Sequence, residues 1–133
     1  MLPDISHRNL LLHQAAAEAL TRAVHDGGMT FALAADGRIT ELRPESGYAV
    51  GTGGGWVGEA SYDALLDALY ALQARGRLPG TFGTWLDNGR LYLDPVAIVA
   101  DRTEALEMAR AIGELAIYDF ATGESVYTEG AGS

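Results

Sequence analysis

The stretch Gly83-Thr-Trp-Leu-Asp-Asn-Gly-Arg-Leu-Tyr-Leu-Asp94 decides the fold class of this chain. Asn88-Gly89 stands between two runs of alternating apolar and polar residues, and both of its residues tolerate positive φ angles. This dipeptide is the strongest short-range signal for a two-residue β-hairpin loop. We therefore predict strands over Thr81–Asp87 and Arg90–Asp94, paired antiparallel.

A two-residue loop also predicts which side chains share a face of the hairpin. One face pairs Leu86 with Leu91 and is the predicted core face. The other face pairs Trp85 with Tyr92 and continues to Asp94. Such a pair indicates either an aromatic surface for a partner or ligand, or a cross-strand contact that only stabilises the sheet.

Two further hairpins are predicted, at Asp36-Gly37 and at Thr122-Gly123. A two-residue loop at the second of these places Tyr118 opposite Tyr127, and Phe120 opposite Ser125. The predicted interaction or ligand surface comprises Trp85, Tyr92, Asp94, Trp56, Tyr118, Phe120 and Tyr127.

Helix signals separate the hairpins. A first helix is predicted over Ser6–His25, a second begins after the N-cap Ser61, and a third after the N-cap Asp101. Gly47–Thr52 is predicted as a further short strand. Pro95 is expected to interrupt pairing, so Val96–Val99 is either a continuation of the strand past a bulge or an edge segment. The predicted order is α-ββ(β)-α-ββ-α-ββ. This order predicts an α+β fold, a mostly antiparallel sheet built from three hairpins with two or three packed helices.

The domain organisation follows from the length of the chain. Its 133 residues fit one domain over 1–133, since about 100–150 residues bury a single core. The wide apolar stripe of the helix at 1–26 predicts an oligomer or partner interface, for example a homodimer. Residues 129–133 are predicted to fray.

Charge excludes one class of partner. The chain carries 18 acidic residues and 9 arginines, with no lysine, for a formal charge of −9. Direct binding to a nucleic-acid backbone requires clustered positive charge, so we do not expect it. No signal peptide or apolar run of membrane-span length is present, which predicts a cytoplasmic protein with no membrane partner.

No catalytic, metal or cofactor motif is evident. Gly53–Gly58 matches G-x-G-x-x-G, but Glu59 stands where an anion would bind, so a flexible glycine-rich loop is expected. The histidines all fall in the first helix without metal-ligand spacing, and the chain has no cysteine. Asp94 beside Tyr92 is the carboxylate best placed for acid–base chemistry. The sequence thus predicts a protein without enzymatic activity, metal or cofactor.

Three segments together resemble a group of small uncharacterised proteins encoded by phages, plasmids and integrative elements, especially of actinobacteria. They are Ser46–Val50, Gly83–Asp94 and Glu114–Glu124, and the likeness covers roughly residues 29–127. The resemblance implies an accessory or host-interaction role.

The sequence leaves three functions open. The first is an acidic protein-interaction module that inhibits a host defence protein by surface occupation or DNA mimicry. The second is a small-molecule-binding protein or minor hydrolase that uses the surface of Trp85, Tyr92 and Asp94 with the loop of Trp56. The third is an immunity protein that neutralises a toxin.

Overall fold

The computed structural model describes residues 3–131, with side chains described from residue 10 to residue 129. Its internal contacts divide the chain into two units. The first unit contains the chain up to Leu42 together with Gly55–Leu93, and the second contains Arg43–Gly54 and the chain from Asp94 onward. That residues 1–133 form one domain stays a prediction.

Four helices and eight strands make up the described chain. In chain order they are α1 (Pro3–Asp26), β1 (Gly28–Leu33), β2 (Ile39–Leu42), β3 (Tyr48–Gly51), β4 (Trp56–Glu59), α2 (Tyr62–Ala74), β5 (Gly80–Asp87), β6 (Arg90–Val99), α3 (Arg102–Ile112), β7 (Ala116–Asp119), β8 (Glu124–Tyr127) and α4 (Thr128–Ala131). The registered strand pairs are antiparallel. The predicted α+β class with an antiparallel sheet is therefore confirmed.

In the first unit the strands lie in the order β2-β1-β5-β6, and β4 pairs with the first half of β6. Their apolar face packs beneath α1 and α2, whose small side chains allow close approach. The fully buried members of this core include Leu12, Ala16, Ala19, Phe31, Leu33, Leu65, Leu69 and Leu91. Burial of this face is the main source of the unit's stability.

In the second unit the last half of β6 pairs with β3, β3 with β7, and β7 with β8. Helix α3 covers one face of these strands. Its Ala105 and Ala109 pack with Val50 and Ile117 in a small, separate core. Because α3 covers only that face, the opposite face of these strands is available to carry function.

The helix ends confirm the predicted caps. The Ser61 hydroxyl accepts the Ala64 N–H at 3.2 Å, and the Asp101 carboxylate accepts the Glu104 N–H at 2.8 Å. Each cap supplies an acceptor to a backbone N–H that the first helical turn leaves unpaired. Helix α1 covers the predicted Ser6–His25 and begins earlier, at Pro3.

The central hairpin forms as predicted. Strand β5 ends at Asp87 and β6 begins at Arg90. Asn88 has φ 52° and Gly89 φ 77°, which is the left-handed pair that a two-residue type I′ loop requires.

The other two hairpin loops are longer than predicted. Leu33 pairs with Ile39 and the Ala34 N–H donates to the Arg38 carbonyl, so the first loop has three residues. There Asp36 Oδ1 accepts the Arg38 N–H, and this Asx contact favours the longer turn.

In the last hairpin Asp119 pairs with Glu124, which leaves Phe120–Gly123 as a four-residue loop. The Asp119 carboxylate accepts the Ala121 N–H and its carbonyl accepts the Gly123 N–H, so Asp119 closes the turn on itself. The predicted pairs of Tyr118 with Tyr127 and Phe120 with Ser125 are wrong. Tyr118 pairs with Ser125, and Phe120 lies in the loop.

Two further differences concern single segments. The second half of the glycine-rich stretch, expected as a loop, forms β4 because Trp56 and Gly58 pair with Leu93 and Leu91. Strand β6 continues through Pro95. Pairing with β3 begins one residue later, at Val96. Just before it the Thr52 N–H donates to the Pro95 carbonyl at 2.9 Å, and the ladder ends there because proline has no N–H to return the bond.

The C-terminal prediction is tested only in part. Thr128–Ala131 form one helical turn where fraying was expected from residue 129. The last two residues of the predicted tail lie outside the described residues.

Candidate functional site: exposed aromatic faces and an acidic second unit

The Trp85–Tyr92 pair lies on the outer face of the first unit, as predicted. The two rings stack with centroids 5.6 Å apart and planes inclined by 11°. Val57 of β4 is the cross-strand partner of Tyr92, so Trp85, Tyr92 and Val57 form a row across three strands. Trp85 is 42% exposed and Val57 43% exposed. Trp85 and Val57 of this row are therefore exposed and are not covered by a helix of the described residues.

Trp56 does not join that row. It pairs with Leu93, a core residue, and strand alternation therefore places Trp56 on the face opposite Val57. Its ring packs against the core of the first unit and covers Gly58, where a Cβ would lie 2.4 Å from the ring. Trp56 is thus a packing residue of the first unit.

The second unit has its own exposed face. Ile98 pairs with Ala49, and Ala49 pairs with Tyr118, so the three lie in a row on the side opposite α3. Tyr127 lies diagonally from Tyr118 on the same side of the sheet. The observed register of β7 and β8 differs from the predicted one by two residues, and a shift by an even number leaves each side chain on its predicted face. We call the residues Ile98, Tyr118, Ser125 and Tyr127 the open face. Tyr118 is 41% exposed and Tyr127 64% exposed.

The four-residue loop supports one side of Tyr118. The Phe120 ring meets the Tyr118 ring edge-on, with centroids 5.4 Å apart and planes at 82°. Gly123 leaves room for the Tyr118 hydroxyl, which lies 3.7 Å from the position of a Cβ there. Phe120 therefore holds the orientation of Tyr118 and is itself half-buried.

Asp94 and Glu114 form the carboxylate pair of the second unit. Burial, and to a smaller degree the negative charge of Glu114, raise the pKa of Asp94 from 3.8 to about 6. Glu114 extends over Gly51, where a Cβ would lie 2.7 Å from Glu114 Oε1. No hydrogen bond or ion pair from a side chain between residues 10 and 129 reaches either carboxylate.

A half-buried carboxylate with a pKa near neutrality can take up or release a proton in the physiological range. Within the described residues no group of three or more His, Asp or Glu side chains could hold a metal ion.

Sequence reasoning missed a second polar contact, in the first unit. The Tyr62 hydroxyl is hydrogen-bonded to His13 Nδ1, and Tyr70 meets the same imidazole edge-on at 6.5 Å. His13 and Tyr62 are 49 residues apart and belong to α1 and α2. No local motif could have predicted this contact, which links the two helices.

A shallow cavity of about 530 Å³ also lies in the first unit. It is bounded by Ala32, Arg38, Thr40 and Thr81 near the loop end of the first hairpin. None of the residues predicted as a site lines it. This cavity therefore does not support the predicted small-molecule site at Trp85 and Tyr92.

Charge is distributed unevenly between the units. The second unit carries nine acidic residues and three arginines, a formal charge of −6 out of the chain's −9. One of these arginines, Arg110, donates to the Thr128 carbonyl at 3.1 Å. The unit that displays Tyr118 and Tyr127 is therefore also the unit with most of the negative charge.

Within residues 3–131, no helix combines the length and apolarity needed to cross a bilayer. A scan of protein-family models, a search of curated proteins and a search of solved structures each found no match.

Proposed function

We propose that this protein is a non-enzymatic interaction module whose second unit binds a basic surface of a partner protein. The observation that supports the proposal most directly is the coincidence of exposed tyrosines, Tyr118 and Tyr127, with a formal charge of −6 in one unit. Tyrosine is enriched at the anchoring positions of protein interfaces. Negative charge steers a basic partner toward those anchors and disfavours acidic surfaces.

The partner chemistry follows from these two features. Arginine side chains satisfy both, because a guanidinium pairs with carboxylates and stacks on a tyrosine ring. Basic surfaces of this kind are used by proteins that bind nucleic acid. The module would then inhibit such a protein by occupying its DNA-binding surface, which agrees with the accessory role implied by the resemblance to mobile-element proteins.

Toxin neutralisation, the third function expected from the sequence, requires the same kind of protein-binding surface, with the toxin as partner. In either case the second unit binds a basic surface, and a basic peptide tests that binding.

The test uses a fluorescein-labelled nine-residue peptide of alternating arginine and valine and measures its anisotropy on titration with the full chain. We expect saturable binding that weakens as salt is raised from 50 to 300 mM, roughly as expected for screened charges. The double variant Tyr118→Ala/Tyr127→Ala should bind at least about tenfold more weakly, the loss typical of two interface anchors. Trp85→Ala, which removes an exposed aromatic ring of the first unit, is the matched control and should bind as wild type does.

A peptide with glutamate in place of arginine is the second control. Equal binding of both peptides, or binding unchanged by salt, would contradict the proposal.

A second function, that of a minor hydrolase, is favoured by one observation, the raised pKa of Asp94 beside Glu114. In that function Asp94 would exchange a proton with a bound substrate near pH 6. Hydrolysis of 4-nitrophenyl esters and glycosides, followed from pH 5 to pH 8, tests it. A rate above background that disappears in Asp94→Asn supports the hydrolase, and equal rates for both proteins reject it.

A further inference from the structure

The last strand of the second unit has one unpaired edge. Strand β8 pairs with β7 on one side, and the Thr128 N–H donates to the Leu115 carbonyl at 2.9 Å just beyond the strand ends. In an antiparallel ladder every second residue exchanges hydrogen bonds with its partner. That bond therefore assigns Val126 to the bonded set. Ser125 and Tyr127, the alternate residues, direct their backbone N–H and C=O groups away from β7.

No strand pairs with this side of β8 among the described residues. The N–H and C=O of Ser125 and the N–H of Tyr127 are left on the free edge, whereas the Tyr127 carbonyl precedes α4 and accepts the first bond of that helix. An exposed strand edge of this kind is a template for pairing with another extended chain. The free edge also adjoins the open face, since the side chains of Ser125 and Tyr127 belong to that face.

Charge decides between the two extended chains that could pair here. A second copy would bring another unit of charge −6 against the first, with the exposed Glu124 and Glu129 close to the contact. Like charges at such short range oppose pairing, whereas a basic segment would be attracted. The edge is therefore suited to a basic extended segment rather than to self-association.

We propose that an extended, arginine-containing segment of the partner adds to β8 as a further strand, bonded to the backbone of Ser125 and Tyr127. This inference rests on the proposed function and specifies how the basic partner is held. Alternate side chains of the added strand lie on opposite faces of the sheet. Arginines on one side meet Tyr127 on the open face, and apolar residues on the other side meet the half-buried Val126.

The experiment follows backbone amides of the ¹⁵N-labelled full chain by hydrogen exchange, with and without the arginine–valine peptide. The amides of Ser125 and Tyr127 exchange freely in the free protein and should become protected by about tenfold or more in the complex. The amide of Val126, already bonded to β7, should change much less. N-methylation of alternate peptide residues can be made in two patterns, and only one of them removes the N–H groups that would face β8. The peptide with that pattern should lose binding, and the peptide with the other pattern should keep it.

A protein variant gives an independent measurement. Ser125→Pro removes an N–H that points away from β7, a position where an edge strand tolerates proline. We expect Ser125→Pro to weaken peptide binding about tenfold, because the variant loses one ladder hydrogen bond and the proline ring obstructs the added strand. Ser125→Ala keeps the N–H and should bind as wild type, and an unchanged spectrum outside β8 shows that both variants fold.

The outcomes separate the two proposals. Peptide binding without protection of Ser125 and Tyr127, and with Ser125→Pro equal to Ser125→Ala, overturns strand addition and leaves the basic-partner function standing. Absence of peptide binding by the wild-type protein overturns both. A dimer in sedimentation that Ser125→Pro abolishes would assign the edge to a second copy and overturn the inference.

Discussion

The rings of Trp85 and Tyr92 stack across the β5–β6 hairpin, with centroids 5.6 Å apart and an interplanar angle of 11°. Stacked aromatic pairs contribute about 0.5–1.5 kcal/mol beyond the area that they bury. We expect Trp85→Ala and Tyr92→Ala each to destabilise the protein, and their effects to be non-additive by about 0.5–1 kcal/mol. Urea unfolding followed by circular dichroism measures this double-mutant cycle. Additive effects would show that the two rings stabilise the hairpin independently.

The raised pKa of Asp94 predicts how stability depends on pH. Because the pKa of Asp94 is about 6 in the folded protein against 3.8 ordinarily, the folded state binds the proton more tightly than the unfolded state. The contribution of the protonated carboxyl is therefore fully present below pH 4 and is lost as pH rises through about 6. Solvent screening of this partly exposed group limits the loss to about 1–2 kcal/mol.

Asp94→Asn removes this contribution to the pH dependence. We expect the difference in unfolding free energy between Asp94→Asn and wild type to grow between pH 4 and pH 7 in favour of the variant. Asp87→Asn, at an exposed strand end, is the control for loss of one negative charge. Glu114→Gln should lower the pKa of Asp94 measured by carboxyl ¹³C NMR, and an unchanged pKa would assign the shift to burial alone.

Gly58 is predicted to be intolerant of any side chain because the Trp56 ring occupies the space on its core-facing side. A Cβ at residue 58 would lie 2.4 Å from the ring, so Gly58→Ala must displace it. We expect a loss of about 1–3 kcal/mol, as for other overpacked sites. The emission of Trp56 should shift to the red, measured in a Trp85→Phe background where Trp56 is the remaining tryptophan of two. Gly53→Ala, at a position with open space but φ 88°, should leave the emission unchanged and cost only backbone strain.

The Asp101 cap predicts a fourth result. Its carboxylate accepts the Glu104 N–H at 2.8 Å, so Asp101→Ala should reduce the unfolding free energy by about 1 kcal/mol. Asp101→Ser retains a capping oxygen and should recover most of that loss. Chemical denaturation at pH 7 compares the three proteins, and equal losses for alanine and serine would mean that charge rather than capping is responsible.

Features with a local physical cause could be predicted from the sequence. The Asn88-Gly89 loop depends on two residues that accept positive φ, and the caps at Ser61 and Asp101 depend on a side chain three residues from the N–H that it accepts. These interactions require no knowledge of the rest of the chain. The α+β class, and with it the Trp85–Tyr92 pair, followed from them.

Longer loops could not be assigned in the same way. In the last hairpin, the carboxylate and carbonyl of Asp119 close a four-residue turn that competes with the two-residue turn suggested by Thr122-Gly123. The two turns differ in free energy by only a few weak hydrogen bonds. The pairing of β7 with β3 therefore helps to decide which turn forms. The predicted partners of Tyr118 and Phe120 changed, while the face of Tyr118 did not.

The sequence by itself therefore determined the antiparallel hairpins, the helix starts and the acidity of the chain, because each depends on near neighbours or on composition. Only the tertiary structure decided that Trp56 packs inward, that His13 meets Tyr62, and that Glu114 lies over Gly51. These contacts join residues far apart in the chain, and burial against a specific neighbouring element selects them. The free edge of β8 belongs to the same class, since strand order rather than strand sequence leaves Ser125 and Tyr127 unpaired.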